Sequence, residues 1–94
     1  MSKRVGILTG CGKGIGLAIT KNLLSSNKDY YVVGISRSSN SELDCLRKLY
    51  KERFLFFESR IEDTQKILEI IDYVKKRHGE INFGICNAGI RSRL

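Results

Sequence analysis

A chain of 94 residues is one domain with room for a modest core, and its 41% hydrophobic and 29% charged content excludes a disordered segment. No apolar run approaches the roughly 18 residues that a membrane span needs. The formal net charge of +7, from 17 Lys and Arg against 10 Asp and Glu, favours anionic partners, yet no nucleic-acid-binding motif accompanies it and no specific nucleic-acid partner is expected.

Met1-Ser2-Lys3-Arg4 has the charge of a signal peptide, but the apolar run Val5 to Leu8 is too short for one, and the expected compartment is the cytoplasm. Residues 3–9 read as a first strand. The run Thr9-Gly10-Cys11-Gly12-Lys13-Gly14-Ile15-Gly16 follows and opens a helix-like segment, Leu17 to Leu24. A diphosphate approaches a backbone closely only where side chains are absent, and the free N–H groups of a helix start supply its donors. A P-loop is excluded, because Ile7 stands where its first glycine belongs and Gly14 where its magnesium-binding hydroxyl belongs. The Gly-x-Gly-x-x-Gly fingerprint fails too, since Gly10 and Gly12 require glycine where Ile15 stands. What remains is Thr-Gly-x-x-x-Gly-x-Gly, carried by Thr9, Gly10, Gly14 and Gly16.

In the first helix Ile15, Ala18, Ile19 and Leu23 recur at one-face spacing and are expected to face the core. Strand signals follow at 30–36, 53–58 and 81–86, apolar runs without strict alternation, as in strands covered on both faces. A second helix starts near the capping box Ser39-x-x-Glu42 and carries Leu43, Leu46, Leu49 and Tyr50. A third has Glu62 and Asp63 at its start and the stripe Ile67, Ile70, Ile71 and Val74. It ends on Lys75-Lys76-Arg77-His78 before Gly79, a normal place for cations at a helix C-terminus. This βαβαβαβ alternation predicts an α/β fold with a parallel sheet and right-handed crossovers. Cys11, Cys45 and Cys86 lack Cys-x-x-Cys spacing, so neither a disulfide framework nor a zinc site is indicated. Cys11, inside the glycine turn, is either a reactive thiol or the filler of a small-residue slot.

With Asn87-Ala88-Gly89 after the apolar segment Ile81 to Cys86, the glycine turn resembles that of the short-chain dehydrogenase/reductase family. The resemblance covers essentially the whole chain, but only the first half of the family's fold. It implies a Rossmann-like sheet of strand order 3-2-1-4 in a truncated three-layer sandwich, with residues 1–94 forming a single NAD(P)-binding half-domain. The implied reaction is hydride transfer between nicotinamide and a carbonyl or alcohol. The family's catalytic Tyr, Lys and Ser belong to the other half, so no catalytic role passes to any residue here. The chain alone is expected to be inactive, and a carbonyl or alcohol substrate is expected only with that half.

By the same resemblance, the backbone of Gly10, Lys13, Gly14 and Ile15 lines the adenosine and diphosphate path, with Asn87, Ala88 and Gly89 on the ribose and nicotinamide side. NAD-using folds place an acidic side chain roughly 20 residues past the glycine turn. Here Ser36 and Arg37 take that place, and a guanidinium binds a 2′-phosphate through paired, charge-assisted hydrogen bonds. With Lys13 placed for the same phosphate, the implied cofactor is NADP(H). Where the family has Asp near the end of its third strand, this chain has Arg60. The Ile61 amide is left to meet the adenine, and either Asp63 substitutes or Arg60 stacks on the base. A non-catalytic nucleotide-binding fragment and a basic interaction module are the alternative readings. The last strand, an unpaired apolar edge, implies self-association.

Overall fold

A computed structural model describes residues 3–12 and 14–86. Eight elements follow one another: β1 (Arg4–Thr9), α1 (Gly14–Ser26), β2 (Tyr30–Ser36), α2 (Ser41–Tyr50), a 3-10 turn (Lys51–Arg53), β3 (Phe54–Glu58), α3 (Thr64–His78) and β4 (Phe83–Cys86). The strands form one parallel sheet in the order β3-β2-β1-β4. The parallel α/β sheet is the one expected from the alternation of apolar runs and helical stripes, and its Rossmann-like order is the one that the family resemblance implies. Among the described residues no helix is long and apolar enough to cross a membrane.

Each sheet face carries its own core. Leu8, Val32 and Phe54 meet Leu24, Leu43 and Leu46 of α1 and α2 on one side. On the other, Val5, Val33 and Ile35 meet Ile70 and Val74 of α3. Adjacent strand residues thus point to opposite helical layers, which explains why the strands read as continuous apolar runs. Each fully buried Leu or Val contributes about 1.5–3 kcal/mol. At β1, Gly6 leaves room for the Phe83 ring of β4 to lie across it, and that ring meets Tyr30 edge-on at 6.3 Å.

The inward face of α1 is not the expected one. Gly16, Thr20 and Leu24 are buried, whereas Ile15 is 71% exposed, Ala18 is exposed, and Ile19 and Leu23 are partly buried. Small residues let α1 settle close to the sheet, and the Thr20 hydroxyl remains satisfied by donating to the Gly16 carbonyl at 2.9 Å. Lys21 on one flank of α1 pairs with Glu42 of α2 at 2.8 Å, so the apolar stripe lies on the flank turned away from α2.

The cap of α2 is likewise displaced by one residue. Asn40, not Ser39, accepts from the Leu43 N–H at 2.9 Å, and its side-chain amide donates to the Gly12 carbonyl at 2.8 Å. Ser39 instead approaches Asp44, Oγ to Oδ1, at 3.3 Å. Asp63 caps α3 by accepting from the Lys66 N–H, and Gly79 closes that helix with φ +88. We expect Asn40→Ala to cost about 1–2 kcal/mol, a cap plus a tertiary bond. Urea denaturation measures it, and an unchanged midpoint would refute the bridging role.

At the other end of α3, His78 is more than a solvated helix-end residue. Its ring lies against Tyr31, with centroids 5.4 Å apart, and its Nδ1 is 3.0 Å from the Lys3 ammonium. An ammonium can only donate there, so Nδ1 is unprotonated and the imidazole neutral. Burial, then the charges of Lys3 and Arg77, hold its pKa below the usual 6.5, with Glu52 opposing. The unfolded chain therefore takes up this proton more readily than the folded one. Stability from this group is complete above the unfolded value and falls as pH drops through it, until the folded form protonates as well. Thermal midpoints should decline from about pH 7 to about pH 5, and His78→Gln should flatten that segment of the profile.

Candidate functional site

Parallel register brings four strand ends together. Thr9 of β1 stands opposite Ile35 and Cys86, and Ser36 of β2 stands opposite Glu58 of β3. The loops that follow Thr9, Ser36 and Glu58 leave from the carboxyl edge of the sheet. From β1 the chain runs outward through β2 and β3, then crosses back to add β4 on the far side of β1. In open parallel sheets the carboxyl edge at such a reversal is the ordinary ligand position.

The turn from β1 into α1 is built for a close approach. Gly10 holds φ +70, and its N–H donates to the Ile35 carbonyl at 2.8 Å, tying the turn to the end of β2. Cys11 is completely buried beneath it, in the core formed with Leu8 and Phe54. Burial pushes the Cys11 thiol up to about 11, so it stays protonated and poorly nucleophilic; the residue fills a slot. Gly12 is buried as well, and a Cβ there would stand 3.1 Å from Ser36 Oγ. Gly14 has φ +62, and a Cβ on it would meet nothing within 4 Å. The backbone conformation requires the glycine, and the space over the helix start is open.

Because α1 begins at Gly14, the first N–H groups of the helix have no carbonyl one turn earlier to bond. No acidic side chain occupies its first turn, so the positive end of the helix dipole stays uncompensated there. An anion at this point gains both the donors and the dipole. The glycine cradle therefore fits a dinucleotide diphosphate.

Ser36 is partly buried beside Gly12, and Arg37 is exposed and in no ion pair among the described residues. Sequence reasoning passed over Glu58. Its carboxylate accepts from the Ser39 N–H at 3.1 Å, stapling the loop after β2 to the end of β3. Only the register of β3 against β2 reveals that role. Ile61 lies in the turn after β3, 38% exposed, with Arg60 and Glu62 loosely paired at 3.7 Å. Asp63 is already engaged as the cap of α3. Lys13, Asn87, Ala88 and Gly89 lie outside the described residues. Tyr73 sits on α3 with its ring edge-on to Phe57, centroids 6.0 Å apart, and belongs to a different part of the molecule. Among the described residues no cluster of His, Cys, Asp and Glu could hold a metal.

Comparison with known proteins places this geometry in a family. An uncharacterized oxidoreductase of Saccharomyces cerevisiae is 32% identical over 93% of the chain and 34% of its own length. Carbonyl reductase [NADPH] 3 of Mus musculus is 32% identical over 97% of the chain and 33% of its own length. The chain thus spans about a third of the curated relatives it matches. The crystal structure of a short-chain dehydrogenase/reductase from Saccharomyces cerevisiae superposes with a TM-score of 0.83 at 32% identity, covering 93% of this chain and 34% of that one. The family model for short chain dehydrogenase matches residues 4–94, and the chain belongs to that family of oxidoreductases.

Proposed function

We propose that this chain is the NADP(H)-binding part of a cytoplasmic short-chain reductase. The observation that carries the reading is the convergence, at one sheet edge, of an open glycine turn with an uncompensated helix start and the pair Ser36 and Arg37. In it Gly10, Lys13, Gly14 and Ile15 hold the diphosphate, Arg37 and Lys13 the 2′-phosphate, and Ser36 leaves that position free of a carboxylate. The Ile61 amide meets the adenine, and Asn87, Ala88 and Gly89 hold the ribose and nicotinamide side. When bound, the cofactor supplies the hydride that is exchanged with a carbonyl or alcohol.

Among the described residues that follow the strand ends at that edge, 9–12, 36–40 and 58–63, there is no Tyr, Lys or His. The substrate site and the acid–base group are therefore assigned to the remaining two thirds of a protein of the relatives' length, and the 94 residues alone bind without turning over. The NADPH in the printed name of the mouse relative supports the cofactor choice. Glu58 stands opposite Ser36 on the neighbouring strand, and its carboxylate accepts from the Ser39 N–H at 3.1 Å, which gives its charge a local partner.

Calorimetric titration tests the assignment. The wild-type chain should bind NADPH at least about tenfold more tightly than NADH, the worth of one charged hydrogen bond. Arg37→Asp should remove that preference. Arg37 is exposed and outside every ion pair described, so the variant is expected to fold. Equal wild-type affinity for the two cofactors would overturn the choice of NADP(H).

We also infer that the 94-residue chain self-associates through its β4 side. Phe83 and Ile85 are only partly buried on β4, whose outer edge has no strand partner among the described residues, and both helical layers keep apolar residues that are not fully covered, Ile15 and Ile19 on α1 and the 56% exposed Leu68 on α3. Apolar edges of this kind recruit other chains. Light scattering during size-exclusion chromatography should show dimers or larger species, with Leu68→Glu shifting them toward monomer. A wild-type monomer at high concentration would refute this inference.

A further inference from the structure

The opposite sheet edge has a different chemistry. β3 is the outermost strand on that side, and the Ser59 N–H donates inward to the Ser36 carbonyl at 2.9 Å. Polar backbone groups alternate in direction along a strand, so those of Phe56 and Glu58 point outward, while the Phe54 N–H bonds the Lys51 carbonyl. A cleft of about 580 Å³ runs along this edge between α2 and α3. One wall carries Arg47 and Lys48 of α2 and Lys51 of the turn that follows it, and the acid among the lining residues is Asp44, 3.8 Å from Arg47. Its α3 wall is Tyr73, 47% exposed.

The strand itself divides its side chains between these walls, with Phe56 on the α2 side and Leu55 and Phe57 on the α3 side. A strand added at this edge would divide its own side chains in the same way. The geometry points to a docking site for an extended acidic peptide, paired to the outer edge of β3. Its acidic side chains meet Arg47, Lys48 and Lys51, and its alternate, apolar side chains lie against Tyr73 and Phe57. Charge selects this occupant over a second copy of the chain, because edge-to-edge pairing would set three cations of each copy against those of the other. The segment after β4 is excluded on the same ground, since residues 87–94 contain two arginines and no acid.

Lys51 offers a clean probe. It ends α2 with φ 52 and ψ −120, backbone that favours glycine, so Lys51→Gly removes a wall cation and relieves strain at once. Fluorescence anisotropy with the full chain and a labelled peptide of about eight residues, alternating Glu with Val or Phe, reads the affinity. Binding should be saturable, weaken about fivefold in Lys48→Gln with Lys51→Gly, and protect the Phe56 amide from hydrogen exchange. A scrambled peptide of the same composition should bind more weakly. Equal affinity of the scrambled peptide, an unprotected Phe56 amide, or an affinity indifferent to the two substitutions would each overturn the proposal. Tighter binding of a single-stranded RNA of equal charge would overturn it in favour of nucleic acid.

Discussion

The glycine turn depends on a missing Cβ in the middle of β2. A side chain at Gly34 would press to 2.7 Å from Cys11 Sγ and 3.0 Å from the Phe54 ring. Because that space is vacant, Cys11 drops out of the glycine turn and packs over the strand, joining the core that α1 and α2 share. The turn is anchored at its base by a buried thiol, at its start by the bond from Gly10 to Ile35, and at Gly12 by the Asn40 amide. Three independent attachments hold the loop backbone. The start of α1 follows directly, and the space beside Gly14 is open. A rigid cradle gives up little entropy when a diphosphate enters it.

That arrangement also explains why a buried cysteine belongs in a glycine turn. A reactive thiolate there would face the helix dipole and gain from it. Burial wins instead, raising the thiol pKa to about 11, so Cys11 contributes volume and no charge. Serine would fit the space, but its hydroxyl would need a partner among Leu8, Val32 and Phe54.

Most of the architecture was legible because its signals are local. Apolar runs bounded by glycines and polar loops marked the four strands to within two residues, and the spacing of Gly10, Gly14 and Gly16 marked the turn. What sequence could not settle were choices between neighbouring registers. In α1 two stripes compete, one of large residues through Ile15, Ala18, Ile19 and Leu23 and one through Gly16, Thr20 and Leu24. Periodicity favours the more hydrophobic, but the distance of closest approach to the sheet favours the smaller. At the start of α2, Ser39 and Asn40 are both competent caps, and the tie is broken by a bond to Gly12, remote in sequence. Glu58 gains its role only when β3 pairs with β2. In each case the deciding partner lies on another element.

The displaced stripe of α1 has a consequence for the two sheet edges. Had Ile15, Ala18 and Ile19 faced the sheet, the β4 side would present mainly polar residues and the molecule would have one apolar core on each face and little beyond. Instead the apolar flank of α1 extends the surface next to β4, where Phe83 and Ile85 are half covered. The β3 edge is bordered by Arg47, Lys48 and Lys51, a placement of cations that blunts an exposed strand against chains of the same charge. One edge is thus bordered by apolar side chains and the other by cations. Part of the positive charge of the chain, which at the level of composition suggested only some anionic partner, gathers at two places: the carboxyl edge, with Arg37 and the start of α1, and the flank of β3, with Arg47, Lys48 and Lys51.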